Sequence, residues 1–285
     1  MRKASSLIKA VAVVTMLSMT LGLLAACAPA PAPEEEAPEA EAPGGQIDEI
    51  LQRGVLKVGL DIFVPWAFKD KDGNLVGFEI DVANKLAEDM GVEVEFVPTE
   101  WSGLIPAMLT GKFDVIIGGM GIRTERALKV NFSIPYEWSG MDCVVSQDML
   151  PGVTSLEELN SEDVIIAVRL GTTAVMAAEK FAPNAELHQF DTDEAVIQDV
   201  LNGNAHASFS SSPTPAFWAS DYPDVLYRPL GGEYFTNEPS AFAVRKGDPD
   251  TLFFFNSWIR ENEDWLQDRS DYWYGTKDWE YLLGE

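Results

Sequence analysis

The residues best suited to chemistry are three glycines and an arginine. Gly118, Gly119 and Gly121 fall within four positions, and Arg126 follows. They come after an apolar run, Phe113-Asp114-Val115-Ile116-Ile117, that reads as a buried parallel strand. Glycines let a backbone approach a bound group closely. Their N–H groups, at the carboxyl end of a strand, can face an anion. The guanidinium of Arg126 is a planar fork matched to a carboxylate. This chemistry would be recognition of a carboxylate. The same residues also describe a tight strand-to-helix turn followed by a solvated arginine, and at this point both readings stand.

Positioning such a group requires strands that end together. Residues 47–52 read as a short helix stopped by Gly54, and 55–60 as a strand leading into an aromatic loop, 61–68. Residues 69–74 read as a hairpin turn, 77–91 as a helix, 92–96 as a half-buried strand, and 101–109 as a loop and short helix. Strand–helix alternation of this kind predicts an α/β lobe with a mainly parallel sheet flanked by helices. The loops carrying Phe63 and Trp66, Trp101, and Gly118–Arg126 each follow a strand, so all can converge at one end of the sheet. The alternation restarts at 144. A short helix (155–159), a strand (164–168), the loop from Arg169 to Thr173, and a helix (174–181) come first. A strand (186–190), a helix (193–202) and a strand (206–210) follow, and Ser211-Ser212-Pro213 opens another helix. A late strand (240–244), a helix (249–263) and a tail rich in Trp and Tyr complete the chain. Trp265, Trp273, Tyr274 and Trp279 are expected to seal the first lobe, Asp81 to hold the start of its helix, and Cys143 to be buried near the hinge.

The amino terminus is read as address rather than fold. Arg2, Lys3 and Lys9 precede an apolar core over 7–24, and Leu24-Ala25-Ala26-Cys27 follows, which is an export signal ending in a cleavage site. The ending resembles the bacterial lipobox, so Cys27 would become a lipidated first residue that holds the protein to a membrane without spanning it. The signal peptide covers 1–26. Residues 27–46, rich in Pro, Ala and Glu, read as a disordered tether. The chain carries a net charge of −26, and loss of the signal makes it three units more negative, which argues against nucleic acid as a partner. With Cys27 acylated, Cys143 is the one remaining thiol, so no internal disulfide forms. His188 and His206 are the only histidines, no zinc-like spacing occurs, and no metal, cofactor or catalytic residue is expected.

With these residues laid out, the chain resembles the family 3 solute-binding proteins, the amino-acid receptors of bacterial ABC importers. The likeness runs from about Gly54 to Trp279. It rests on Gly-Asn-Leu-Val-Gly-Phe-Glu-Ile-Asp at 73–81, Trp-Ser-Gly-Leu-Ile-Pro-Ala at 101–107 and Gly-Lys-Phe-Asp-Val-Ile-Ile at 111–117. Thr-Glu-Arg at 124–126, Asn-Phe-Ser-Ile-Pro-Tyr at 131–136, Leu-Gly-Thr-Thr at 170–173 and Ala-Val-Arg-Lys-Gly-Asp-Pro at 243–249 add to it. The order and spacing of these motifs, more than any one of them, carry the resemblance.

It implies a two-lobed type II periplasmic-binding-protein fold with a two-strand hinge, crossing near 138–143 and 232–240. Lobe one would comprise 47–139 and 235–285, and lobe two 140–234. The resemblance assigns Arg126 to the ligand carboxylate, assisted by the backbone N–H groups of Gly119 and Gly121 and by Thr173 beside Thr172. Trp66, with Phe63 and Trp101 nearby, would pack on the ligand side chain, and Arg169 would face it. Ser211 stands where the family usually has an aspartate that takes the ligand ammonium. Asp61, Asp191 or Glu238 would then take that role, or the ligand lacks a free amine. Two cations, Arg126 and Arg169, favour an acidic or polar ligand over a basic one. The implied function is a monomeric, lipid-anchored, extracytoplasmic receptor that hands a small carboxylate or amino acid to permease subunits and their ATPase. An exported dehydratase of the same fold, acting on prephenate-like carboxylates, and a sensor for a membrane kinase are the alternatives.

Overall fold

The computed structural model describes residues 45–283; the signal peptide, Cys27 and nearly all of the tether lie outside them. The chain begins with α1 (Gln46–Arg53), which Gly54 closes in the left-handed conformation, then β1 (Val55–Leu60), β2 (Phe68–Lys69), β3 (Leu75–Val76), α2 (Phe78–Met90) and β4 (Glu93–Pro98). It continues through α3 (Leu104–Leu109), β5 (Val115–Ile116), α4 (Thr124–Ala127), β6 (Asn131–Ser139), β7 (Met141–Ser146) and β8 (Ile165–Arg169). The rest is α5 (Thr173–Phe181), β9 (Glu186–Phe190), α6 (Asp193–Leu201), β10 (Ala207–Ser211), α7 (Thr214–Asp221), β11 (Leu226–Tyr227), β12 (Glu238–Val244), α8 (Pro249–Glu261) and α9 (Glu263–Gly275).

These elements build two lobes, each a five-stranded, mainly parallel sheet flanked by helices. The first sheet has the order β4-β1-β5-β12-β6, with β1 parallel to β4 and β5, and β12 antiparallel to both β5 and β6. The second has the order β11-β7-β10-β8-β9, with β10, β8 and β9 parallel and β7 antiparallel to its neighbours. In each sheet one antiparallel strand breaks the parallel run. The strands β6 and β7 lie on either side of Gly140, so the chain passes from one sheet to the other within a single residue. A side chain at Gly140 would meet the Thr236 carbonyl at 2.5 Å and the Tyr234 Cβ at 2.7 Å, so nothing larger than glycine fits where the two connections cross.

Several expectations shift. The run 113–117 contributes a strand of only two residues, and Thr124 to Arg126 stand on the one-turn helix α4 rather than in a loop. The aromatic tail is largely helical: the expected helix over 249–263 ends at Glu261, and α9 follows it. Trp273 and Trp279 are buried against Phe68, as a sealing role requires. Asp81 does not hold its own helix start. It accepts hydrogen bonds from Arg269 and from the Trp273 indole, so it ties α9 to α2. Cys143 is fully buried in the core of the second sheet, and burial pushes its thiol up. Among the described residues no helix is long and apolar enough to cross a membrane.

The first lobe buries a polar group beneath its loops. The Tyr136 hydroxyl lies 2.7 and 2.8 Å from the two carboxylate oxygens of Glu79 and accepts the Gly119 N–H at 3.1 Å. Glu137, next along β6, is buried with one oxygen unpartnered among the described residues. Burial pushes Glu79 up to about 8 against the opposing Tyr136 hydrogen bond, and pushes Glu137 up to about 8 against the Ser240 hydroxyl. Both acids therefore bind a proton in the fold that they lose near pH 4.5 when unfolded. The stability each contributes is complete below pH 4.5 and is lost as pH rises toward about 8. Denaturant titrations at pH 5, 6.5 and 8 are expected to show Glu137→Gln flattening the decline of stability with pH, by up to about 1.4 kcal/mol per pH unit. Identical slopes in the variant and the parent would contradict this assignment.

Candidate functional site

The carboxyl ends of the strands of both sheets face one cleft with about 620 Å³ of empty space, counting the part open to solvent. Loops after β1, β4 and β5 supply Phe63 and Trp66, Trp101, and Gly118, Gly119 and Gly121. From the second sheet come Arg169 at the end of β8, Thr172 and Thr173 at the start of α5, and Ser210 and Ser211 at the end of β10. Open α/β sheets place ligands at this end of their strands.

Arg126 is buried and borders the cleft. Its Nη1 donates to the Gly121 carbonyl at 2.9 Å and its Nη2 to the Gly171 carbonyl at 3.4 Å, and its guanidinium lies over the Trp101 ring at 5.3 Å. It forms no ion pair among the described residues, and burial pulls its pKa down. A guanidinium out of water without a counter-charge is costly, and a carboxylate in the cleft would remove that cost. Gly121 holds the arginine through its carbonyl. Gly119 differs from expectation: it lines the cleft, but its N–H is committed to Tyr136 and is not free for a ligand. A side chain there would also lie 3.0 Å from Trp66, at φ 63°.

Arg169 is buried too, but it is not a free cation. It pairs with Asp61 across the lobes, with Asp193 at 3.1 Å, and with the Asp191 carbonyl at 2.9 Å, and it lies over Phe63 at 5.8 Å. The expectation that two cations favour an acidic ligand therefore fails at Arg169, which two carboxylates already neutralise. Asp61 reaches the site only through Arg169. Asp191 offers its carbonyl, and it borders a separate groove with Glu100 and Trp101. Glu238 does border the cleft, paired with Arg123. Trp101 bridges the cleft: its indole donates across the lobes to the Gly171 carbonyl at 3.0 Å.

Thr172 caps α5. Its hydroxyl accepts the Ala174 N–H at 3.2 Å and donates to the Arg169 carbonyl at 2.7 Å. Thr173, first residue of α5, keeps an N–H that the helix cannot satisfy, at the positive end of the helix. Ser211 ends β10 and caps nothing, since α7 begins at Thr214. Trp66 stacks flat on Phe63, with centroids 4.4 Å apart and planes at 3°, and rests on Tyr274. His206 lies outside the cleft, where its Nδ1 accepts the Ile165 N–H. Sequence reasoning missed Ser139, Ser240 and Asp193 as cleft residues. Asp193 carried only the signal of an acid in a first helical turn.

Comparison with known proteins agrees with this geometry. Residues 56–276 match the profile of the bacterial extracellular solute-binding proteins, family 3. The L-cystine-binding protein TcyJ of Escherichia coli (strain K12) is 30% identical over 235 residues, which cover 81% of this chain and 87% of that one. The crystal structure of an ancestral amino acid-binding protein, AncCDT-1, described as a precursor of cyclohexadienyl dehydratase, is 40% identical with a TM-score of 0.73, covering 81% of this chain and all of that one. A binding component of an ABC transporter from Wolinella succinogenes, complexed with lysine, is 36% identical with a TM-score of 0.74, covering 80% of this chain and 98% of that one. The chain belongs to the bacterial extracellular solute-binding proteins, family 3.

Proposed function

We propose that this chain is the extracytoplasmic substrate-binding component of an ABC importer, taking an amino acid or a related small carboxylate between its lobes without converting it. The observation that carries the reading is Arg126, a buried guanidinium at the cleft that makes no ion pair among the described residues. The ligand carboxylate lies on Arg126 and on the free N–H of Thr173, and the wall of Phe63, Trp66 and Trp101 receives the side chain. The moving bodies are 47–139 with 235–285, and 140–234, turning about Gly140 and the segment before β12. Relatives of known ligand support the class: two of those above are described as binding cystine and as complexed with lysine. A dehydratase reading draws on the likeness to AncCDT-1 and on Asp193, a cleft acid that burial pushes up to about 6, in the range of a general acid. Turnover of prephenate by the purified protein would favour that reading, and none is expected.

Thermal shift of refolded, ligand-stripped protein tests the main reading with a panel of α-amino acids, α-keto acids and dicarboxylates. A ligand at about 100 times its Kd adds about 2.7 kcal/mol, a shift of several degrees. Arg126→Met is expected to abolish every such shift without lowering the melting temperature of the ligand-free protein, because it removes an unpaired buried charge. A retained shift would refute the assignment.

The address read from residues 1–27 joins the proposal: a lipid on Cys27 tethers the protein to the outer face of the cell membrane or its periplasmic side. Expressed in a bacterial host, the chain is expected to sediment with membranes and to extract into detergent, and Cys27→Ser to appear in the soluble extracytoplasmic fraction. Equal partition of both would remove the lipid from the account.

A further inference from the structure

The charged groups around the cleft fall at two ends. At one, Glu238 is paired with Arg123, and Arg126, on which Glu125 and Glu238 act only from a distance, makes no ion pair among the described residues. At the other end Asp61 and Asp193 share one guanidinium, Arg169, so that end lacks a cation. The other charged groups acting there are acids: Glu194 follows Asp193 on α6, and Glu100 raises Asp61. Two carboxylates on one cation, withdrawn from water, leave a surplus negative charge that only a further cation can balance.

The oxygens of these acids are not equivalent. Asp61 gives one oxygen to Arg169 and the other to the Ile62 N–H at 2.8 Å. Glu238 turns both oxygens on Arg123. Asp193 gives Oδ2 to Arg169 at 3.1 Å, and its Oδ1 has no hydrogen-bond donor among the described residues, although the side chain is only 12% exposed and borders the cleft. Ser210 and Ser211, on the same lobe, bring hydroxyls but no charge.

We infer that Asp193 is the acid that receives the ligand's cationic group, so that the ligand is a zwitterion with its carboxylate on Arg126 and its ammonium or guanidinium on Asp193. This rests on the Arg126 reading and goes beyond it by naming the second pole of the ligand. Arg169 acts as a positioning residue: it holds Asp193 to the cleft and, through Asp61, brings that pole into place only when the lobes are together. Burial pushes Asp193 up to about 6, against the attraction of Arg169, so the receptor for a cation would be discharged in mild acid.

Calorimetric titration of the mature protein tests this with L-lysine, L-arginine, L-glutamine, 2-oxoglutarate and succinate as probes. At least one amine-bearing probe is expected to bind, more tightly than the amine-free ones. Asp193→Asn should weaken that probe at least tenfold with an unchanged melting temperature, leaving any binding of 2-oxoglutarate or succinate within threefold. Affinity of the parent for the amine-bearing probe should fall below pH 6, and Asp193→Asn should remove that fall. Unchanged zwitterion affinity in Asp193→Asn overturns the inference. So does a parent that takes only 2-oxoglutarate or succinate in an Arg126-dependent way, which leaves the carboxylate reading intact. Binding that survives Arg126→Met, or no binding of any probe, overturns both readings.

Discussion

A buried guanidinium that makes no ion pair among the described residues is the constraint around which this molecule is arranged. Arg126 is buried at the cleft, held by the Gly121 carbonyl and the face of Trp101 from its own lobe and by the Gly171 carbonyl from the other. Neutral acceptors orient a cation but do not neutralise it, so the ligand-free site keeps an electrostatic cost of order several kcal/mol. Two other arginines show the contrast. Arg169, also buried, has its acids built in, and Arg123, partly exposed, has Glu238. Of these three, Arg126 alone makes no ion pair among the described residues.

The surrounding backbone keeps that charge in place. Gly119 must lie against Trp66, so the loop cannot carry a side chain there. Its N–H is tied to Tyr136, which is tied in turn to Glu79 on α2. The cleft floor is thus anchored to the first lobe's core by a chain of hydrogen bonds whose acid end is neutral at ordinary pH. An ionised Glu79 would sit out of water with Glu137 as the nearest acting charge, which is why its proton is held.

Much of this was legible in the sequence, and the rest was hidden for identifiable reasons. The helical period of 78–90, the alternation of 92–96 and the apolar runs ending in glycine placed the parallel strands and the loops that follow them. The Gly-x-Gly and Arg126 combination marked a stretch that borders the cleft. Strand β6 was not legible because Pro135 interrupts it and neither period holds over Asn-Phe-Ser-Ile-Pro-Tyr-Glu-Trp-Ser. The committed state of the Gly119 N–H and of Arg169 could not be read, since their partners Tyr136, Asp61 and Asp193 are distant in sequence. A residue type states what a side chain can bond. Only the fold states which bonds are already made.

Closure and recognition use the same contacts. Arg169 reaches from the second lobe to Asp61 on the first, and Trp101 on the first lobe reaches the Gly171 carbonyl on the second, which Arg126 also approaches. Opening the cleft would break each of these and return Asp61 and Arg169 to water, where their charges are hydrated at little cost. The contacts that bridge the lobes are thus offset by the desolvation of the charges that make them. On the proposed reading, a carboxylate between Arg126 and the first turn of α5 would shift that balance, because it would neutralise a buried charge that makes no ion pair among the described residues. The energy that selects the ligand is then the energy that holds the lobes together, and a molecule that leaves Arg126 unmet cannot keep them closed.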